Sequence, residues 1–76
     1  MYFIYLIRNK KTKQLYVGYT CNLKRRLEEH KDKNPELIYC EIYKNKRDAI
    51  LRERKLKQRG QGVRWLKQRI KYSLQE

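Results

Sequence analysis

The chain is short of several residue types on which small folds often rely. Its 76 residues include two cysteines, one histidine, one proline and three glycines. The spacing of Cys21 and Cys40 matches neither a metal knuckle nor a disulfide framework, so we expect two reduced thiols. A single histidine, His30, excludes a metal site built from several histidines. The length fits one domain over residues 1–76, with a small core, because such a chain buries only about 60% of the surface its unfolded form exposes.

Long apolar runs and linkers are also missing. No run approaches the roughly 20 residues that are needed to cross a bilayer. Met1 leads directly into YFIYLI, with no basic segment before it and no small-residue cleavage site after it, so a secretory signal is not expected. There is no internal repeat and no low-complexity linker. We therefore expect a soluble, cytoplasmic protein that does not act at a membrane.

Acidic residues are scarce relative to basic ones. Eight Asp and Glu stand against 21 Lys and Arg, which gives a net charge of +13 and an isoelectric point near 10.1. Such a charge opposes compaction and favours a polyanionic partner, which nucleic acid, an anionic membrane surface or an acidic protein could each supply. Twelve basic residues and only two acids lie between Lys44 and Lys71. Contact with phosphates is the simplest reason for that excess.

The residues that are present predict a small α+β fold. Residues 2–8, YFIYLIR, are apolar on both alternating faces, which is typical of a central strand covered on two sides. A polar connection over residues 9–13 and a second strand over residues 14–18 predict an antiparallel hairpin. A third strand is expected over residues 37–43. Its alternation predicts one face formed by Ile38, Cys40 and Ile42.

A first helix is expected after the second strand, because Thr20 or Asn22 can cap its free amides. It ends before residues 34–35, Asn-Pro. At about 100° per residue, Arg26 and His30 fall at the edge of the buried stripe of this helix. They are candidate site residues, but a lone histidine in this pattern is more often a solvated residue or one satisfied at the edge of the core.

The second helix carries an acid in an unexpected place. Asn45 can cap this helix, which should run to about Gln58, with Gly60 as its C-terminal stop. Glu53 falls inside the apolar arc of the helix, where an unpaired carboxylate is costly unless it is paired or binds a metal. The alternative is that Glu53 neutralises basic neighbours, namely Arg52, Arg54 and Lys57.

A last helix is expected from Gly62 to about Leu74. Its apolar stripe points to one side, and Trp65 and Tyr72 point to the other. These two aromatic side chains could stack on bases or merely cover apolar surface.

Together these residue types suit one reaction. An arginine, one or two tyrosine hydroxyls, a histidine and a carboxylate around a small sheet could serve phosphodiester hydrolysis. That reaction needs a cation to neutralise charge on the phosphate and the leaving oxygen, and a base for the attacking water.

Two tripeptides and three polar residues follow one another in a characteristic order. Residues 3–5 are Phe-Ile-Tyr and residues 16–18 are Tyr-Val-Gly; Arg26 follows, with His30 one turn later, and the pattern A-x-x-x-E-x-x-L-K surrounds Glu53. In this order the chain resembles a small, stand-alone GIY-YIG nuclease domain of the bacterial kind. The resemblance covers nearly the whole chain, and the ordered set is far more specific than any one of its members.

The resemblance implies a fold, an activity and a set of roles. The fold is a three-stranded antiparallel sheet flanked by helices in the order β-β-α-β-α-α, which agrees with the elements above. The activity is that of a metal-dependent endonuclease that hydrolyses phosphodiester bonds in DNA with one divalent ion, Mg²⁺ or Mn²⁺. Glu53 would be the metal ligand, Arg26 the phosphate clamp, Tyr5 and Tyr16 the water-activating and positioning hydroxyls, and His30 a support or alternative base.

A single domain has no second module to read bases, so we expect little sequence selectivity unless a protein partner supplies it. The DNA backbone would be held by basic residues of the helices, namely Lys24, Arg25, Arg52, Lys55, Lys57, Arg59, Arg64 and Lys67. Two alternatives stay open. One is a non-catalytic nucleic-acid-binding module on the same fold, and the other is a component of a DNA repair complex that cuts only with its partner.

Overall fold

One antiparallel sheet organises the chain. In the computed structural model, which describes residues 1–58 and 61–76, the sheet is formed by β1 (Tyr2–Asn9), β2 (Leu15–Thr20) and β3 (Pro35–Tyr43), in the order β2-β1-β3. The helices are α1 (Leu23–Glu29), α2 (Lys46–Lys57), α3 (Gln61–Arg69) and α4 (Lys71–Gln75), with a short 3-10 turn at Lys31–Lys33. This is the predicted α+β fold, with its last helix divided in two. In the described ranges, no helix has the length and apolar character of a membrane span.

Strand β1 is the centre of the sheet, as its double-sided apolar pattern predicts. It pairs with β2 on one side and with β3 on the other, both antiparallel. All side chains from Ile4 to Arg8 are buried, because they have neighbours on both edges and on both faces. The hairpin is confirmed, but β2 continues to Thr20, two residues past its predicted end at Gly18.

The main core lies on one face of this sheet. Ile4 and Leu6 of β1 pack there against Ala49 and Leu56 of α2 and against Leu66 of α3. These five side chains are at most 3% exposed. Helices α2 and α3 are therefore fixed to this face, which we call the core face.

Tyr5 and Ile7 point to the opposite face of the sheet, because successive side chains of a strand alternate. They are also buried, at 4% and 1% exposure. The Tyr5 hydroxyl meets Arg26 of α1 there. We call this second side of the sheet the α1 face.

A bulge in β3 changes which side chains reach the core. The register of β3 against β1 shifts at Ile38, which has no partner in β1. Such a bulge turns the strand and re-aims its side chains. Ile38 packs against the core cluster, while Cys40 pairs with Tyr5 and Ile42 is 59% exposed. The prediction of one shared face for Ile38, Cys40 and Ile42 is therefore wrong.

Asparagine caps begin both of the helices that carry predicted catalytic residues. The Asn22 side chain accepts a hydrogen bond of 3.1 Å from the amide of Arg25, so Asn22, and not Thr20, caps α1. Asn45 caps α2 as predicted. The stop predicted at Gly60 lies outside the described residues.

The last helix is not continuous, contrary to the sequence prediction. Ile70, at φ −115° and ψ 29°, separates α3 from α4. A β-branched residue has a lower helix propensity than an unbranched one, so a break in the helix costs less free energy at Ile70. The end of α4 is then held by buried Arg8, whose Nη1 donates a 2.6 Å hydrogen bond to the Leu74 carbonyl. A cation at this position also offsets the negative end of the helix dipole.

Candidate active site

Three of the predicted site residues meet at one oxygen atom on the α1 face. The Tyr5 hydroxyl accepts a hydrogen bond of 3.1 Å from Nε of Arg26 and lies 3.5 Å from Nε2 of His30. The Tyr5 and His30 rings pack edge to face, with their centroids 6.3 Å apart. The fold thus joins residues 25 positions apart in the chain into one cluster, which we call the Tyr5 cluster.

Two elements position this cluster. Tyr5 is on the central strand, where its neighbours leave the ring no other place. Arg26 and His30 are four residues apart at the end of α1 and so lie on one side of the helix. The Asn22 cap fixes where α1 begins. Arg26 and His30 are both half-buried, which confirms the prediction that they lie at the edge of the buried stripe of the helix.

Gly18 makes room for Tyr5. The two residues are direct partners across β1 and β2. A Cβ atom at Gly18 would overlap the hydroxyl and the ring of Tyr5. The glycine of the second tripeptide is therefore required by the space that the tyrosine of the first one occupies, a relation that the sequence analysis did not identify.

Arg26 is fully charged and still open to solvent. Hydrogen bonds to the Tyr5 hydroxyl and to Glu29 raise the pKa of the guanidinium further above its usual range. The second bond joins Nη1 to the Glu29 carboxylate at 2.8 Å, and the side chain remains 40% exposed. The guanidinium can therefore bind a phosphate from solvent without losing its bond to Tyr5.

The surroundings of His30 favour its neutral form. Burial lowers its pKa, and the positive charges of Arg26 and Lys33 lower it further, against the smaller opposing effects of Glu29 and Asp32. A neutral imidazole has one nitrogen that accepts hydrogen bonds. Since the Tyr5 oxygen already accepts from Arg26, its own proton can be donated to Nε2 of His30.

Tyr16 faces the same side of the sheet without joining the cluster. It pairs with Ile7, whose side chain shares the α1 face with Tyr5. The Tyr16 hydroxyl donates to Oε1 of Gln14 at 2.8 Å, and Nζ of Lys33 lies 5.2 Å from the ring centroid. Tyr16 is half-exposed and lies two residues before Gly18 on β2, so it can border a substrate that is bound at the Tyr5 cluster.

Glu53 stands apart from these residues. It is on α2, the helix that packs on the core face, and its side chain is 24% exposed. Its carboxylate lies 3.4 Å from Nζ of Lys57, one turn later on the helix. Within residues 1–58 and 61–76, no hydrogen bond or ion pair joins Glu53 to the Tyr5 cluster. Any connection between the two passes through water, metal or substrate.

Glu53 fits only one kind of metal site. In the described part of the chain, no group of three or more His, Cys, Asp or Glu side chains could enclose a metal ion. Mg²⁺ is commonly held by one or two carboxylates, with waters and substrate phosphates completing its coordination. A half-buried carboxylate whose lysine partner is 3.4 Å away and itself 56% exposed can serve in that way.

Arg52 has a partner that the sequence analysis missed. Its Nε and Nη2 donate to the Glu41 carboxylate of β3, at 2.9 and 3.0 Å, and the hydroxyls of Tyr39 and Tyr43 donate to the same group, at 2.7 and 2.6 Å. Burial works against the charge on Glu41, but these bonds outweigh it and leave its pKa lowered. Burial and the bond to Glu41 raise the pKa of Tyr43 to about 12. The only sequence signal was an acid at a strand position flanked by tyrosines.

Six of the eight basic residues assigned to DNA are exposed. Of the remaining two, Arg52 is half-buried in its pair with Glu41, and Arg59 lies outside the described residues. Two of the six exposed residues have acidic neighbours: Arg25 approaches Glu29 at 3.5 Å, and Lys57 approaches Glu53. The exposed ones are Lys24, Arg25, Lys55, Lys57, Arg64 and Lys67.

Comparison with known proteins gives a family for this geometry. The family model of the GIY-YIG catalytic domain matches residues 1–69. Searches of curated proteins and of solved structures gave no match. The matched range contains both tripeptides, the Tyr5 cluster and Glu53, and spans nearly the whole chain. The chain therefore belongs to the GIY-YIG family of metal-dependent nucleases.

Proposed function

We propose that this protein is an endonuclease that hydrolyses phosphodiester bonds in DNA with the help of Mg²⁺ or Mn²⁺. The observation that carries the proposal is the meeting of Arg26 and His30 at the hydroxyl of Tyr5. An attacking water needs a proton acceptor, and the phosphate needs a fixed positive charge. The Tyr5 cluster supplies both from groups that are in place before substrate arrives.

The proposed proton path runs through Tyr5. The hydroxyl oxygen accepts a proton from the attacking water while its own proton passes to Nε2 of His30, 3.5 Å away. Arg26 holds the Tyr5 oxygen in place through its Nε bond, and its exposed end binds the scissile phosphate. Tyr16, on the same face, positions the water or the phosphate.

Glu53 is the proposed metal ligand. A divalent ion held there would neutralise the charge that develops on the phosphate and the leaving oxygen. Because Glu53 is on a helix of the core face and the Tyr5 cluster is on the α1 face, the carboxylate can act with the cluster only when bound substrate reaches both sides of the sheet. Displacement of Lys57 from Glu53 is part of metal binding in this scheme.

Binding of DNA relies on the exposed basic residues assigned to it above, namely Lys24, Arg25, Lys55, Lys57, Arg64 and Lys67. They contact phosphates, which carry no sequence information, so we propose low sequence selectivity. A protein partner that restricts cleavage to particular sites, as in a repair complex, is compatible with this arrangement. Both cysteines are free thiols, which is consistent with the reducing conditions of the cytoplasm that we propose as its location.

A plasmid-nicking assay tests the proposal. With Mg²⁺ or Mn²⁺, wild type should nick supercoiled DNA at least about 100-fold faster than Arg26→Ala or Glu53→Ala, the usual cost of losing a group that stabilises transition-state charge. Arg47→Ala and Glu28→Ala remove the same charges from exposed positions outside the proposed site and should retain the rate. Equal rates for wild type and both site variants would end the enzymatic proposal.

The separation of Glu53 from the Tyr5 cluster favours one second candidate, a module that binds nucleic acid without cutting it. In that case Glu53→Gln, which removes a negative charge beside Lys57, should leave DNA affinity intact or improve it. No cleavage should occur with either metal ion. Titration of both metal ions in the nicking assay, with binding measured on the same variants, distinguishes the two candidates.

A further inference from the structure

A concave site lies between α2 and α3 on the core face. It is a pocket of about 250 Å³ lined by Arg52, Lys55, Gly62, Trp65, Leu66 and Arg69. Arg52 is bonded to Glu41, which pairs with Ile4 and so shares the core face. The pocket and the Tyr5 cluster therefore lie on opposite sides of the sheet, and none of the residues proposed for catalysis lines the pocket.

An exposed indole forms one wall of this pocket. Trp65 is the only tryptophan of the chain and is 64% exposed, while Leu66 beside it is 3% exposed and packs in the core. Packing of α3 therefore leaves the Trp65 ring outside, although the indole has more apolar surface to bury than any other side chain. A large exposed aromatic ring is informative, since single tryptophans are usually well buried.

The other walls are positively charged. Lys55 and Arg69 are exposed, and Arg52 is oriented by its two bonds to Glu41. No acid is among the described residues that line the pocket. An aromatic surface beside two exposed cations, Lys55 and Arg69, suits a ligand that carries both a flat ring and a negative charge.

Gly62 sets the width of the pocket. A Cβ atom there would lie 2.5 Å from the carbonyl oxygen of Lys55 and 2.6 Å from Cα of Leu56. The glycine thus allows α3 to approach the end of α2 closely, which brings Trp65 and Lys55 to the same small site. The pocket is defined by backbone packing rather than by mobile side chains alone.

We infer that this pocket binds one unpaired nucleotide of single-stranded DNA, with the base stacked on Trp65 and a neighbouring phosphate bound by Lys55 and Arg69. This inference rests on the proposed function only for the identity of the polymer. A base inside a duplex is already stacked on both faces, so its ring is not available to Trp65. Stacking on an aromatic platform is sequence-tolerant, so we expect little preference among bases at this pocket.

An anionic membrane surface is the competing ligand, since basic helices with exposed tryptophan also bind lipid. Interfacial binding needs a continuous apolar side on the helix. The apolar side chains there, Leu66 of α3 and Ile70 directly after it, both pack against the core. The observations therefore favour nucleic acid, and lipid becomes an outcome of the test.

The single tryptophan allows a direct test, because its fluorescence reports on this pocket alone. In EDTA, which prevents cleavage, oligothymidylate should quench the fluorescence, and a blunt duplex with the same number of phosphates should not. Trp65→Ala should weaken oligothymidylate binding about tenfold, measured by anisotropy of a labelled strand, and Trp65→Phe should retain most of the affinity. The matched control is Tyr72→Ala, which removes a ring that is 70% exposed outside the pocket and should change nothing.

Four results would overturn the inference. The first is equal quenching by the duplex and by oligothymidylate, and the second is an unchanged affinity of Trp65→Ala for the single strand. The third is a higher affinity for phosphatidylserine vesicles than for oligothymidylate, and the fourth is thymidine monophosphate binding as tight as binding of the oligomer. Arg26→Ala should lose cleavage and keep the quenching. Failure of the nuclease proposal, with quenching intact, is therefore distinguishable from failure of this pocket.

Discussion

At the scale of single residues, one hydroxyl group connects most of the proposed chemistry. Tyr5 is buried by its strand neighbours, yet its oxygen reaches both Arg26 and His30. The space for that oxygen comes from a glycine on the adjacent strand. The role of each residue in the cluster depends on its contacts with the others.

Gly18→Ala should act on catalysis through Tyr5. The added methyl group overlaps the Tyr5 hydroxyl, so the hydroxyl must leave Arg26 and His30. We expect the nicking rate to fall about 100-fold, within the range for a displaced acid-base group. The double variant Gly18→Ala/Tyr5→Phe should be no slower than either single variant, because the two changes remove the same function. A full rate for Gly18→Ala would contradict this role, and circular dichroism checks that the sheet is retained.

The pH dependence of cleavage should reflect His30. Its lowered pKa means that the ring takes up a proton only below the ordinary value of about 6.5, so activity should persist at that pH and fall on further acidification. His30→Gln should reduce the rate about 100-fold and remove this acid limb.

The same shift affects stability with a defined sign. The unfolded chain binds this proton first as the pH falls, so the native state should lose stability between the ordinary pKa and the lowered one. Thermal melting of wild type and His30→Gln across this range measures the effect. If the cleavage rate of His30→Gln still falls at low pH, that fall is due to the titration of another group.

At the scale of elements, the contact between β3 and α2 is made by a buried charge. The Glu41 carboxylate accepts hydrogen bonds from two tyrosine hydroxyls of its own strand and from the guanidinium of Arg52 on the helix. Its side chain is 14% exposed. A buried ionic group stabilises a fold only while all its partners remain. This network therefore links strand, helix and the pocket beside Arg52.

Glu41→Gln should destabilise the protein by about 1.5–3 kcal/mol, the usual value for hydrogen bonds to a charged group. The amide cannot accept from three donors at once and leaves the Arg52 charge unpaired. Urea unfolding measures the loss, and Glu28→Gln, at an exposed position, should show almost none. Because the pKa of Glu41 is lowered, its contribution is present at neutral pH and should be lost as the pH falls through that lowered value.

At the scale of the whole molecule, a charge of +13 on 76 residues governs association. When the exposed cations of α1, α2 and α3 bind phosphates, they displace counterions that are condensed on the DNA. The logarithm of the observed binding constant for DNA should therefore fall linearly with the logarithm of the salt concentration. Arg64→Ala should make that slope shallower by about one, without changing the preference among sequences. Gln68→Ala, on the same helix and also exposed, should leave the slope unchanged. Fluorescence anisotropy with several duplexes at a series of salt concentrations measures both quantities.

Several parts of the fold were predictable because they depend on neighbouring residues. The apolar pattern of β1 implied a central strand, and Asn45 implied a helix start, since alternation and capping act over a few positions. The two tripeptides, followed by Arg26, His30 and Glu53 in that order, indicated the family. The bulge at Ile38 and the break at Ile70 escaped prediction, because each depends on what the residue packs against.

The amino-acid sequence alone determined the family, the order of elements and the excess of positive charge, because periodicity, composition and motif order are properties of the chain. Only the tertiary structure decided which polar groups meet. It joined Tyr5 to Arg26 and His30, engaged Arg52 with Glu41, and left Glu53 with Lys57 on a helix of the core face. Pairings across strands and helices depend on register and packing, which no local pattern specifies.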